Sequence, residues 1–345
     1  MVRLTVYLDT SSWNHLSSGQ MSSLRQIISK SDTCIPCYST HSIEELLGVC
    51  DEEKRVELDL QLDVVGARYI EAISDTVGGM PAGCEITVKS REERSQIYED
   101  MRKFSSTGGF GLGDFLQKLI GGIDSTSFEG IFKMGLTDIE RLLDFDVSEF
   151  PLELAAMVTS AAEVKKEQAR KAQCDLLEHL NRKEGIRMPQ LDPARINNFT
   201  GAGAIERIFE AAEVHEDTSN MVEAFLAGPP RISSKRIEAH LGTPSWEQVY
   251  RLAQLLFLLG YWRESKHRKD TERARIDFAG GQADICHIAN ASFCSVFHTS
   301  DKPQARLAAA VYDHLNVPTM VLLYTPKTDD EVTLYTPTNI QVMDG

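Results

Sequence analysis

GGQADICHIANASFCSVFHTSDK, residues 280–302, is the stretch whose reading decides the fold. Asp284, His287 and Ala291 recur at intervals of three and four, so they share one face of an α-helix, while Ile285, Ile288 and Ala289 supply its buried side. That helix is expected to end near Phe293. Residues 294–299 (CSVFHT) then read as a short buried strand, and Thr299-Ser300-Asp301 lies where it would stop. In open parallel α/β sheets ligands bind outside the carboxyl ends of the strands, which puts chemistry at Asp301. Both acids also have a plain structural explanation, because Asp is a favoured N-cap: Asp301 for a helix starting at Lys302, and Asp284 for one starting at Ile285.

The N-terminus repeats the pattern. Residues 2–8 (VRLTVYL) read as a strand with Leu4, Val6 and Leu8 on one face, and the run ends in Asp9-Thr10-Ser11. A helix is expected over residues 21–30, and residues 33–38 (TCIPCY) read as a second strand in which Pro36 suits only an edge or an irregularity. Residues 39–47 (STHSIEELL) carry a helix start signal, and Ser42 and Glu45 have the spacing of a capping box.

Four pieces in this order resemble a known family. They are an Asp closing the first strand with Ser two residues on (Asp9, Ser11), Glu45-Leu46 in the helix after the second strand, an Asp-x-x-His-x-x-x-Ala helix, and a Thr-x-Asp strand end. Together they look like a PIN domain, a family of metal-dependent nucleases acting mostly on RNA. The resemblance implies an α/β fold, a three-layer α/β/α core with a parallel sheet, in which Asp9, Glu45, Asp284 and Asp301 converge as catalytic metal ligands. It covers about 50 residues at the N-terminus and about the last 70, the size of one small domain. More than 200 residues separate Glu45 from Asp284, where the family usually runs on directly, so a large insertion is expected. The expected organisation is a discontinuous core of residues 1–60 and 275–345 around a mainly helical insertion, 61–274. Glu44 competes with Glu45 for the second position, and Glu45 is preferred because Leu46 continues the buried face.

Chemistry explains these residue types. Hydrolysing a phosphodiester requires an activated water and neutralisation of charge on the phosphoryl and leaving oxygens, which divalent ions provide. Mg²⁺ and Mn²⁺ favour hard oxygen ligands, and Mg²⁺ keeps several waters, so three or four carboxylates suit an open site. Ser11 and Thr299 would orient those carboxylates, with His287 supporting them from the Asp284 helix.

Composition bounds the rest. A 345-residue chain, 42% hydrophobic and 25% charged, has the makeup of an ordinary globular protein. Residues 252–262 (LAQLLFLLGYW) are too short to cross a bilayer and read as a buried helix. The N-terminus enters a strand without a basic-then-apolar leader, so no signal peptide is expected. Seven scattered cysteines fit reduced thiols in a cytoplasmic protein. Strand alternation would turn Cys34 and Cys37 to opposite faces, which favours core packing over zinc. A net charge of −15 confines any RNA contact to a local patch, and the best candidate is Arg263, Lys266, Arg268, Lys269, Arg273 and Arg275, just ahead of the 280–302 stretch. A solvated helix face is the bland alternative for it.

Helical spacing of apolar residues recurs over 54–74, 91–104, 152–182 and 205–226, between Gly- or Pro-containing breaks at 77–83, 105–113 and 228–233. Such a block could also dock a protein partner. The glycine run 108–113 has no strand before it and no Lys-Ser/Thr after it, so it reads as a loop before a helix capped near Asp114. Residues 317–324 (VPTMVLLY) read as a core strand, and 331–335 as an edge strand. Phosphotransferases of the haloacid-dehalogenase kind resemble the chain less, since they want a second Asp where position 11 is Ser. An inert PIN-like scaffold that binds nucleic acid is the other alternative.

Overall fold

Successive residues of a strand point to opposite faces, and in the first strand both faces are buried: Val6 and Leu8 on one, Tyr7 on the other. A central sheet strand with helices on both sides has this signature. The computed structural model describes residues 3–19, 25, 28, 33–74, 81–106, 127–144, 151–181, 196–199, 203–213, 246–261, 271–324 and 332–335. Its sheet has seven strands: β1 (Leu4–Leu8), β2 (Cys34–Tyr38), β3 (Arg68–Ser74), β4 (Pro81–Thr87), β5 (Val296–Thr299), β6 (Met320–Tyr324) and β7 (Val332–Tyr335). They run in the order β4-β3-β2-β1-β5-β6-β7. The five inner strands are parallel, and antiparallel β4 and β7 close the edges. The chain is therefore α/β with a mostly parallel sheet.

Val6 registers with Pro36 of β2 and Val296 of β5, which joins the two ends of the chain at the sheet centre. Pro36 sits in an inner strand, where a missing N–H would normally break the ladder. Pairing of β2 with β3 starts only at Cys37, however, so β2 is still an edge at Pro36 and the absent donor leaves no gap. On the Val6 face the core gathers Trp13 and Leu16 of α1 (Thr10–Ser17), Ile43, Leu46 and Leu47 of α2 (Thr40–Leu47), and Leu58 and Leu62 of α3 (Glu52–Val64). Burying each such side chain contributes about 1.5–3 kcal/mol. Right-handed crossovers put the helices on either side of β5 in the chain on the opposite face of the sheet. There, α9 (Thr271–Ala291) meets Tyr7 through His287, and α10 (Lys302–Leu315) ties to α9 by a bond from Tyr312 Oη to the Ile288 carbonyl.

Several expectations need correction. Residues 54–74 are not one helix, because α3 ends at Val64 and Gly66, with φ +63°, turns the chain into β3. The expected break at 77–83 likewise gives way to β4 from Pro81. The expected helical block 61–274 is thereby divided. One compact unit holds Met1–Glu99, Pro189–Ser265 and Gly280–Gly345, and the other holds Asp100–Met188 and Lys266–Ala279. The first includes α7 (Ala204–Glu213) and α8 (Trp246–Leu258), and α4 (Arg91–Ser106) begins in it. In the second, α5 (Phe128–Leu142) packs on α6 (Leu152–Asn181), with Arg170 Nη2 2.6 Å from Glu140 Oε1. The expected helix at 21–30, apart from Arg25 and Ile28, lies outside the described residues, as do the 108–113 run with Asp114 and residues 214–226. All seven cysteines are free thiols, and Cys34 and Cys37 are buried. Among the described residues no helix is long and apolar enough to cross a membrane.

Close packing of α9 on α8 gives a test. A Cβ on Gly281 would overlap the Phe257 ring, whereas one on Gly280 meets nothing within 4 Å. Gly281→Ala should cost about 1–3 kcal/mol by overpacking. Gly280→Ala should be neutral, or stabilise by up to about 1 kcal/mol through helix propensity. Urea unfolding of the two variants checks this, and equal midpoints would contradict the packing.

Candidate functional site

From β1 the chain winds outward through β2 and β3 on one side, while β5 and β6 extend the sheet on the other. The reversal of order falls between β1 and β5, and in open α/β sheets ligands bind at such a switch point, outside the carboxyl ends. Asp9 follows β1 there, and Thr299 ends β5 with Asp301 two residues on.

Asp9 is 4% exposed and caps α1, accepting from Ser12 N (2.8 Å). The Ser11 hydroxyl stands 2.9 and 2.7 Å from its two oxygens, and Thr299 Oγ1 is 2.6 Å from Oδ2. Ser300 Oγ in turn donates to Ser11 Oγ at 2.7 Å, tying the two strand ends together. Asp301 caps α10, its Oδ1 accepting from Gln304 N at 2.8 Å. The cap reading therefore holds for Asp301. It fails for Asp284, because α9 begins at Thr271 and runs through that position to Ala291, within two residues of the expected end near Phe293. Asp284 Oδ1 instead accepts from Gln304 Nε2 at 3.0 Å.

Glu45 is separated from its neighbour by geometry. Glu44 faces His41, with 3.6 Å between Oε2 and Nδ1, and is half exposed. Glu45 Oε2 meets the Thr10 hydroxyl and lies 3.0 Å from His287 Nε2. It takes no part in a capping box: Ser39 is the N-cap of α2, and its N–H donates to Ser42 Oγ at 3.2 Å. Burial raises the Glu45 pKa, but the His287 and Thr10 contacts and the His41 charge outweigh it and hold the carboxyl below its usual range. His287 is itself 1% exposed, with Nδ1 2.8 Å from Tyr7 Oη, which is 2.7 Å from Ser39 Oγ. If the Tyr7 hydroxyl donates to Nδ1, the Nε2 proton points at Glu45. Burial keeps Tyr7 protonated far above neutrality, so it stays a donor. His298, buried at 3%, bonds Ser12 Oγ through Nδ1 at 2.9 Å, and desolvation holds it neutral, with its pKa lowered to about 4.

The structure thus brings Asp9, Asp284 and Asp301 into one network through Thr299 and Gln304, and brings Glu45 to Thr10, the residue after Asp9. Helices α1, α2 and α10 all begin at this edge, and their N-termini favour nearby negative charge by about 0.3–1 kcal/mol each. In donor type the four acids fit Mg²⁺ or Mn²⁺, which take hard oxygens. As the side chains stand, no group of three or more His, Cys, Asp or Glu among the described residues is arranged to hold an ion. Of the basic segment, Arg263, Lys266, Arg268 and Lys269 lie outside the described residues, and Arg273 and Arg275 are described only as backbone of α9. Sequence reading missed Thr10, Tyr7, His298 and Gln304. The run of hydroxyls after Asp9 was a usable signal for Thr10, whereas Gln304, three residues past a capping Asp, looks like an ordinary capping partner.

Glu45 supplies a pH test. Its folded pKa is depressed, so its ionisation stabilises the fold above the ordinary value of 4.5, and that stability is lost as pH falls through the folded value. Wild type should melt above Glu45→Gln at neutral pH, with the gap narrowing as pH falls below 4.5, because protonated Glu45 resembles Gln. Melting curves from pH 7 to 3 check this, and a gap that does not narrow toward the acid end would contradict it.

Compared with protein-family models, curated proteins and solved structures, the chain finds no match.

Proposed function

We propose that this chain is a cytoplasmic metal-dependent nuclease, an endoribonuclease with a PIN-like three-layer α/β/α core, whose Asp9, Glu45, Asp284 and Asp301 hold Mg²⁺ or Mn²⁺. The observation that carries the reading is the hydrogen-bonded path Asp9–Thr299–Gln304–Asp284 at the switch point, with Asp301 bonded to the Gln304 backbone. Carboxylates are seldom gathered at a strand edge without a counter-charge, since each raises the pKa of its neighbours. A bound divalent ion supplies that counter-charge and neutralises the phosphoryl oxygens of a phosphodiester.

The protein's own groups do the rest. Ser11 and Thr299 fix the two oxygens of Asp9, and Thr10 and His287 hold Glu45, with Tyr7 bonded to the other imidazole nitrogen. Arg263, Lys266, Arg268, Lys269, Arg273 and Arg275 provide the local positive charge that an overall −15 chain requires to hold an RNA backbone.

One observation favours a second reading, an inert PIN-like nucleic-acid-binding or scaffolding protein: each of the four carboxylates already accepts a hydrogen bond from the protein. A cleavage assay on single-stranded and structured RNAs and DNAs, with Mg²⁺, Mn²⁺ or chelator, separates the two. The nuclease reading expects ion-dependent cleavage, reduced more than about 100-fold in Asp284→Asn, since even changes in groups that merely support ligands cost 10–100-fold. Asp9→Asn and Asp301→Asn should fold, because Asn caps as well as Asp, yet lose cleavage and Mn²⁺ affinity together. Absence of both ion binding and cleavage in wild type would leave the scaffold.

Changing Lys266, Arg268 and Lys269 together to Ala should weaken RNA binding equally for all sequences. It should also flatten the salt dependence by about 0.7 logarithmic units per lost single-strand contact. Filter binding across a salt series measures both, and an unchanged slope would return the segment to solvated surface.

A further inference from the structure

Gln304 is 3% exposed, and its backbone N–H and both side-chain polar atoms bond groups of the candidate site. Its backbone N–H donates to Asp301 Oδ1 (2.8 Å), Nε2 donates to Asp284 Oδ1 (3.0 Å), and Oε1 lies 2.7 Å from Thr299 Oγ1. Thr299 Oγ1 accepts from Asp301 N (2.9 Å) and stands 2.6 Å from Asp9 Oδ2. A residue three positions past an N-cap ordinarily reaches back to the cap's own N–H. In this chain the Asp301 N–H goes to Thr299 instead, and the Gln304 side chain turns inward to a different acid.

The donor inventory makes the arrangement directional. An ionised Asp284 accepts and cannot donate, so the amide must present Nε2 to it, which forces the carbonyl toward Thr299. Thr299 has one proton and two acceptors in reach, Asp9 Oδ2 and Gln304 Oε1. The amide therefore couples Asp284 of α9 to Asp9 at the end of β1: the orientation that Asp284 imposes determines what competes with Asp9 for the Thr299 proton. No glutamate at this position could do both tasks, because a carboxylate has no donor for Asp284, and an aliphatic side chain could do neither.

We propose that Gln304 is a positioning residue that holds Asp9, Asp284 and Asp301 as one divalent-ion-binding unit, acting through Thr299 and Asp284. This rests on the reading of those acids as ion ligands. The test is Mn²⁺ affinity of the full chain, read from the free-Mn²⁺ paramagnetic resonance signal, beside a melting curve, for wild type, Gln304→Met, Thr299→Val and the double variant.

Gln304→Met keeps the volume and removes the amide. It should lower Mn²⁺ affinity by about 10–100-fold, the usual cost of losing a group that orients a ligand. The double variant should lose little more than the worse single variant, because both changes break one unit. Gln304→Asn keeps an amide too short to span both partners, and should show the same loss if the Met variant does not fold. A fall in melting temperature with Mn²⁺ affinity unchanged, or losses that simply add, would overturn the proposal. Wild type that takes up no Mn²⁺ would overturn it as well, and in that case the ion-binding reading fails with it.

Discussion

Placing acids at the carboxyl ends of two adjacent parallel strands is the constraint on which the rest of this structure depends. Asp9 and Asp301 follow β1 and β5, which pair directly, so their charges share one edge of the sheet. Like charges at such range disfavour each other's ionised form, and a fold that keeps them must supply donors. It does so in three ways: helix N-termini at α1, α2 and α10, backbone N–H caps from Ser12 and Gln304, and the hydroxyls of Thr10, Ser11 and Thr299. The depressed pKa of Glu45 shows the His287 and Thr10 contacts and the His41 charge outweighing the cost of burial there.

A second consequence lies beneath the edge. Tyr7, at the centre of the sheet, is wholly buried, yet its hydroxyl meets Ser39 and His287 rather than standing unsatisfied. An unpaired hydroxyl in that position would cost about 1–3 kcal/mol. The requirement to satisfy it fixes His287, and His287 fixes Glu45. A core residue thereby sets the geometry of a partly buried acid, and Asn290 extends the same chain of bonds from Ser39 to Trp246 of α8.

Much of this was legible in the sequence, and the reasons differ by element. Strands β1 and β5 announce themselves by dense β-branched and aromatic runs ending in polar residues, and the unbroken burial of Val6, Tyr7 and Leu8 is what such a continuous apolar run gives when both faces of the sheet are covered. Strand β3 was lost inside an expected helix because RYIEAIS has no strict alternation, although Gly66 marked the boundary with its left-handed φ. Glu45 was preferred over Glu44 for the right face, but its pairing with Ser42 as a capping box failed, since the helix starts three residues earlier at Ser39. Asp284 lost its cap role for a similar reason: the pattern of α9 extends upstream through GlyGly280–281, where glycine in a helix interior disguises continuity. Gln304 was invisible because a local cap motif explained it fully, and only three-dimensional proximity of α9 and α10 gives its side chain another partner.

The account stands on the claim that these carboxylates bind a divalent ion between the ends of β1 and β5. Anomalous scattering from crystals of the protein grown with Mn²⁺ tests it most directly. The account expects an anomalous peak bonded to oxygens from the set Asp9, Glu45, Asp284 and Asp301, at ligand distances of about 2 Å. Full Mn²⁺ in the crystal with no peak at that edge, and the Thr299 and Gln304 bonds unchanged, would contradict it.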